Sequence, residues 1–205
     1  MTTATDTAAA DGPVAPEPAP LGETHRVLGA FLAIAGAIGV LASSILTIDK
    51  ITLLQSQVDG EDLSLGCDLS AFVSCSGVIA SDQASAFGFP NPLIGIAGFA
   101  VVTTLGVLLA AGGRLPGWVW GGLQAGVIFG IGFVTWLQYQ SIANIGKLCP
   151  WCMVVWTVMI PMFVLVTARN VPGRFLRNWS GLIIALWYIA VIATIFFVFG
   201  DSLWA

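Results

Sequence analysis

Charge is what this sequence has least of. Only 9% of its 205 residues are charged, against 57% hydrophobic, and it holds one histidine and two tyrosines. A water-facing domain carries about a quarter charged residues, so a soluble globule is excluded and the bilayer becomes the solvent. The seven basic residues form no run or patch, which excludes a nucleic-acid partner. Also missing is the basic start and short apolar core of a secretory signal. The first apolar run is therefore expected to stay in the mature chain. Residues 1–24 have few large apolar side chains and much Ala, Thr and Pro. Such a segment cannot bury enough surface to order itself, so a disordered tail is expected there.

What is present is length of apolar chain. Five runs, 27–48, 93–112, 118–140, 149–168 and 180–199, contain no Asp, Glu, Lys, Arg or His. Each reaches the roughly 20 residues that cross a bilayer as helix. The expected fold is an all-α integral membrane protein with five spans and a large loop between the first two. Lys and Arg accumulate in cytoplasmic loops. A cytoplasmic N-terminus puts Arg26, Arg114, Arg169, Arg174 and Arg177 inside and Lys50 and Lys147 outside, so that orientation is expected. The loop 49–92 and the short connection 141–148 then face out. The six acids of the loop, Asp49, Asp59, Glu61, Asp62, Asp68 and Asp82, read as a solvated surface. Gly122, Gly126 and Gly130 recur every fourth residue and are expected to let helices approach closely. Pro161 should kink the fourth span or free a carbonyl. His25 lies on the inner side and reads as an exposed residue.

The chemistry sits in four cysteines. Cys149-Pro150-Trp151-Cys152 opens the fourth span. Three-residue spacing puts both sulfurs on one face of a first turn. A helix N-terminus stabilises a thiolate, and Pro150 suits the first helical position. Lys147, two residues earlier, adds positive charge. Cys67 and Cys75 lie in the large loop with seven residues between them. Two pairs on the oxidising side suggest a relay by thiol–disulfide exchange. Two structural staples, or a zinc site built from all four thiolates, are the other readings of the same residues.

At these positions the sequence resembles the vitamin K epoxide reductase family, in its bacterial branch. The resemblance runs in order through Cys67, Cys75 with Ser76-Gly77-Val78-Ile79-Ala80-Ser81, then Phe87-Gly88-Phe89-Pro90-Asn91, then Cys149-Pro150-Trp151-Cys152. It spans roughly residues 27–168. It implies a four-helix bundle around a quinone (menaquinone or ubiquinone), here over 25–170, with the basic loop and fifth helix in 171–205. Cys152 resembles the cysteine beside the quinone and Cys149 its disulfide mate. Cys75 matches the loop cysteine that exchanges with Cys149, and Cys67 the one that meets a thioredoxin-fold, DsbA-like partner. Some bacterial members carry that partner fused after the fifth helix. This chain stops at Ala205, so a separate partner is expected.

The resemblance also implies quinone contacts. Ser81 matches a residue on a short loop helix capping the site, and Asn91 one that hydrogen-bonds a quinone carbonyl. Trp156 stands where animal members have a tyrosine that contacts the quinone; an indole N–H donates but cannot accept. Phe87 and Phe89 line the pocket or pin the loop to the bilayer. Plainer roles exist for each: Asn91 before Pro92 as a helix cap, Ser81 as a local cap, Trp151 and Trp156 as interfacial anchors. No metal is expected. The expected activity is quinone reduction coupled to disulfide formation. Epoxide reduction, or a non-enzymatic membrane protein with two structural disulfides, are the alternatives.

Overall fold

The structure is a computed structural model that describes residues 21–60, 65–70 and 72–203, with side chains from 25 to 200 within them. Six α-helices follow in order: α1 (Leu21–Asp59), α2 (Cys75–Ile79), α3 (Pro92–Ala110), α4 (Gly117–Tyr139), α5 (Pro150–Asn170) and α6 (Arg174–Leu203). Five of them, all but α2, are long and apolar enough to cross a membrane. No strand forms among the described residues, and only an isolated bridge joins Val73 to Leu148. The expected tail 1–24 lies outside the described residues up to residue 20; 21–24 already belong to α1.

Two boundaries differ from expectation for physical reasons. The large loop does not begin at residue 49. Helix α1 has 39 residues and is about 58 Å long at 1.5 Å per residue, far beyond a hydrocarbon core of about 30 Å. Residues 49–59 contain no breaker and many helix formers, and the helix stops only at Gly60, whose φ of 73° is left-handed. The projecting turns keep an apolar side. Leu46 and Leu53 pack with Leu65, Cys75, Ile79 and Cys149 under the loop. Likewise 141–148 is not a plain loop. Helix α4 continues as a π-turn over Gln140–Ile145 and ends at Gly146, again left-handed with φ 65°. At the opposite end, α6 starts at Arg174, so most of the expected basic loop is helix.

Helix α5 is the hub. It packs on α1, α4 and α6, while α3 packs on α1. The core runs through Leu32, Phe99, Trp120, Val127, Met162 and Val166. Pro161 lies inside a continuous α5. Its ring denies the Thr157 carbonyl an intrahelical donor, and the Tyr188 hydroxyl of α6 donates to that carbonyl instead, at 2.5 Å. The freed group thus ties α6 to the bundle. His25 is half-buried against the edge of Trp120, not exposed as expected.

The glycine stripe of α4 does something other than expected. A Cβ at Gly122 or Gly126 would meet nothing within 4 Å, and one at Gly130 only the Met159 side chain. The close helix contact is α1 against α3. There a Cβ at Gly106 would fall 2.3 Å from the Ala33 nitrogen, and one at Gly29 2.5 Å from the Ala110 nitrogen. Gly122 and Gly126 line a cavity instead. Gly106→Ala should therefore destabilise the protein by about 1–3 kcal/mol through overpacking. Gly126→Ala should stay within about 0.5 kcal/mol. Denaturant unfolding of both variants in the same micelles checks the contrast.

Candidate active site

The site is assembled by a backbone pairing between two segments far apart in sequence. The Leu148 N–H donates to the Phe72 carbonyl at 2.7 Å, and the Ser74 N–H donates to the Leu148 carbonyl at 2.9 Å. The residues that follow on each side are Cys75 and Cys149. Their sulfurs stand 3.6 Å apart, and both side chains are fully buried. Ser141 holds the other flank, because its hydroxyl donates to the Lys147 carbonyl at 2.5 Å and its own carbonyl accepts from the Lys147 N–H.

All four expected cysteines meet here. Cys67 and Cys75 are disulfide-bonded. Cys149 and Cys152 are free thiols. Cys149 is the N-cap residue of α5, one position before the spanning segment begins at Pro150. A hydrogen bond with the Cys152 thiol and the N–H groups of Cys152 and Trp151 hold its thiol below the usual thiol range, against the opposing effect of burial. Lys147 lies across α2, where a Cβ on Gly77 would meet its side chain.

The loop that carries Cys67 is fixed by Asp68. One carboxylate oxygen accepts from the Ser74 hydroxyl at 2.7 Å and from the Ser76 N–H at 3.0 Å. The other accepts from the Leu65 N–H at 2.8 Å. The Ser74 oxygen in turn accepts from the Gly77 N–H, capping α2. Lys50, buried in the projecting part of α1, donates to the Ile79 carbonyl at the other end of α2, at 2.6 Å. Asp49 stands beside it, with Oδ2 3.9 Å from the Cys67 sulfur. Two loop acids expected to be a mere solvated surface are therefore structural or adjacent to sulfur. Asp82 and Asp59 fit that expectation and are exposed, whereas Glu61 and Asp62 lie outside the described residues.

Below the cysteines lies a cavity of about 590 Å³, between α3, α4 and α5. That volume suits a ring-sized ligand. Cys152, Ser81, Asn91 and Trp156 all line it, together with Ser43, Gln83, Gln140 and Ser141, which the sequence did not single out. The cap reading of Asn91 does not hold, since it makes no side-chain bond to the first turn of α3. Its Nδ2 donates to the Gln83 carbonyl at 2.6 Å and its Oδ1 accepts from the Ala86 N–H at 3.0 Å. The amide thus clamps the short 3-10 turn Asp82–Ser85 over the cavity. Ser81 likewise makes no cap bond; its hydroxyl donates to the Val78 carbonyl at 2.7 Å. Trp156 is buried, not an interfacial anchor, and its indole N–H has no partner among the described residues. Phe87 is 52% exposed and is not part of the cavity wall. It packs between Phe89 and Phe133, and Phe133 is the wall residue.

Helices, buried thiols and an apolar chamber together describe a membrane-embedded redox protein. A sequence model of the vitamin K epoxide reductase family matches residues 30–167, and the chain belongs to that family. It is thus an oxidoreductase of the membrane, from a family that couples disulfides to quinones. No curated protein matches the chain.

Asp68 supplies a pH test. Burial raises its pKa, but its hydrogen bonds from Ser74, Ser76 and Leu65 outweigh that and hold the carboxyl down to about 2. The ordinary aspartate value is about 3.9. A depressed folded-state pKa gives stability that is whole above the ordinary value and is lost as pH falls through the folded one. Amide-exchange protection at Leu65 and Ser76, corrected for intrinsic rates, should stay level from pH 7 to about 4.5 and fall towards pH 2. Asp68→Asn should lower it across the whole range. Loss centred near pH 4 in the parent protein would contradict the assignment.

Proposed function

We propose that the protein oxidises a thioredoxin-fold, DsbA-like dithiol protein and reduces a membrane quinone, menaquinone or ubiquinone, through its two cysteine pairs in series. The observation that carries this is the 3.6 Å approach of the Cys149 sulfur to Cys75, with Cys152 on the wall of the cavity. A reduced partner attacks the Cys67–Cys75 disulfide at Cys67. A second partner thiol then releases it as a disulfide and leaves two loop thiols. Cys75 attacks the Cys149–Cys152 disulfide at Cys149, and Cys152 leaves as a thiolate. Cys67 attacks Cys75, reforms the loop disulfide and releases Cys149. Two electrons and two protons then pass from the Cys149–Cys152 pair to the quinone, giving quinol and the α5 disulfide. A bonded loop pair beside two free thiols is the stage just before that last step.

The wall residues suit a quinone head group. Asn91 spends one N–H and one oxygen lone pair on the loop, which leaves a second N–H for a ring carbonyl. The Trp156 N–H offers another donor. The Ser81 oxygen, its hydrogen given to Val78, can accept from a quinol hydroxyl. Phe87 supports the wall through Phe133. With the N-terminus cytoplasmic, the cysteines face the oxidising side, where the partner resides.

The physical need is a carrier between phases. The quinone stays in lipid and the partner in water, so a thiol pair at the boundary must pass electrons between them. About 30 mV of potential difference corresponds to about 1.4 kcal/mol, so a modest driving force keeps the partner oxidised. Reconstitution in proteoliposomes with quinone and a reduced thioredoxin-fold protein tests the reading through quinone absorbance. Cys152→Ala should reduce turnover to background. Cys149→Ala should leave the loop disulfide reducible by the partner while quinone reduction stops. Full turnover in Cys152→Ala, or epoxide consumption in place of quinone reduction, would overturn it.

A further inference from the structure

We propose that Asp49 is the general base of the resolving step, taking the proton from Cys67 as its sulfur displaces Cys149 from Cys75. The proposal rests on the two-pair relay above.

In that step Cys75 is bonded to Cys149 and Cys67 is a thiol. An S–S bond forms between Cys67 and Cys75, the bond between Cys75 and Cys149 breaks, and its electron pair leaves on Cys149. The Cys67 proton must go elsewhere, because a thiol is a poor nucleophile until ionised. Asp49 Oδ2 lies 3.9 Å from the Cys67 sulfur, within sulfur hydrogen-bond reach, and the same carboxylate group, Cys67 and Cys75 cluster within 4.8 Å. Its carboxylate has no other hydrogen-bond partner among the described residues, so it is uncommitted. Asp49 is also only half-buried, which lets the proton pass on to water.

Other groups fail as bases. Asp68 is closest in sequence, but both its oxygens are already engaged. Asp82 is exposed beyond α2. His25 is at the opposite end of α1 against Trp120. Position is secured as well. Asp49 rides on the projecting turns of α1, and the adjacent Lys50 bolts those turns to the end of α2. The Lys50 bond to α2, which begins at Cys75, thus holds the acid near the loop disulfide.

The charged and titratable groups around Asp49 are Asp68 from the loop, Cys149 from the start of α5 and Lys50 on its own helix. Lys147 packs on Gly77 beside them. Asp68 titrates near 2, below the range needed here. The remaining groups are common to parent and variant, so the difference between their pH profiles isolates Asp49.

The experiment uses the full chain in proteoliposomes with quinone and a reduced thioredoxin-fold protein, followed by acid quench, alkylation and mass analysis of the Cys75–Cys149 cross-linked peptide. Cys67→Ala is the reference, since it lacks the resolving sulfur and must accumulate that bond. Asp49→Asn, nearly isosteric, should accumulate the same bond at pH 7 and lose about 10²-fold in turnover, the lower end of general-base contributions. Its rate should climb with pH, as hydroxide takes over the removal of the Cys67 proton that Asp49 performs in the parent. Asp49→Glu should recover most of the rate. If Cys67→Ala traps the bond but Asp49→Asn does not, or if the variant's loss is equal at every pH, the assignment of Asp49 is overturned and the relay stands. If Cys67→Ala itself traps nothing, the relay falls and Asp49 with it.

Discussion

The two hydrogen bonds between residues 72–74 and Leu148 are the constraint on which the site depends. They are short-range and local, yet they join a loop between the first two spanning helices to the start of the fourth. Each segment of the pairing is followed at once by a cysteine, so register and reactivity are one decision. A slip of one residue would turn Cys75 to the other face of its segment. Everything around the bridge serves to hold that register: Asp68 gathers the loop, Ser74 caps α2, Lys50 anchors its far end, and Ser141 closes the turn before Leu148. Buried polar groups of this kind are costly when left unpaired, and each of these has a hydrogen-bond partner.

The membrane part solves a different problem, which is to be tightly packed and hollow at once. Glycine does both. At Gly29 and Gly106 it brings α1 and α3 into backbone contact; at Gly122 and Gly126 it removes side chains from the wall of the chamber. The first use gives van der Waals contact, the main source of helix association in lipid. The second leaves room for a ligand. Helix α6 takes no part in the chamber. It is mostly lipid-exposed and is tied on through Tyr188, at the carbonyl that Pro161 leaves without its helical donor.

How much of this was legible in the sequence follows from what each signal measures. Charge-free runs report burial in lipid, so the five spans were readable. Hydropathy says nothing about helix that continues into water, so the ends of α1 and α6 were not. A four-residue glycine spacing reports that side chains are absent along a face. It does not tell a neighbouring helix from a cavity, and for Gly122 and Gly126 the cavity is what is there. The four cysteines were readable from spacing and position, and their separate roles, like the wall positions Ser81, Asn91 and Trp156, from an ordered family pattern, whereas Phe87, named with those wall positions, stands one layer back from the wall. Asp49 had no such pattern. It precedes Cys67 by 18 residues, and only the unbroken length of α1 and the return of the loop bring the two together. Backbone pairing at Val73 and Leu148 leaves no trace in side-chain type at all.

The geometry also bears on direction. Thiol–disulfide exchange runs towards the better leaving thiolate. Cys149 stands at the N-cap of α5, where the Cys152 thiol and two backbone N–H groups favour its thiolate. Cys67 stands beside a carboxylate, which disfavours a thiolate there by repulsion but accepts its proton. In the proposed relay, an attack by Cys67 on a Cys75–Cys149 bond therefore expels the stabilised sulfur and consumes the unstabilised one. The reverse attack, by Cys149 on the loop disulfide, would have to consume the stabilised Cys149 thiolate while Asp49 returns its proton to Cys67. The two ends of one exchange thus sit in opposite fields, a helix N-terminus and an acid. In the proposed relay, that asymmetry favours transfer from the loop towards the membrane before any quinone is reduced.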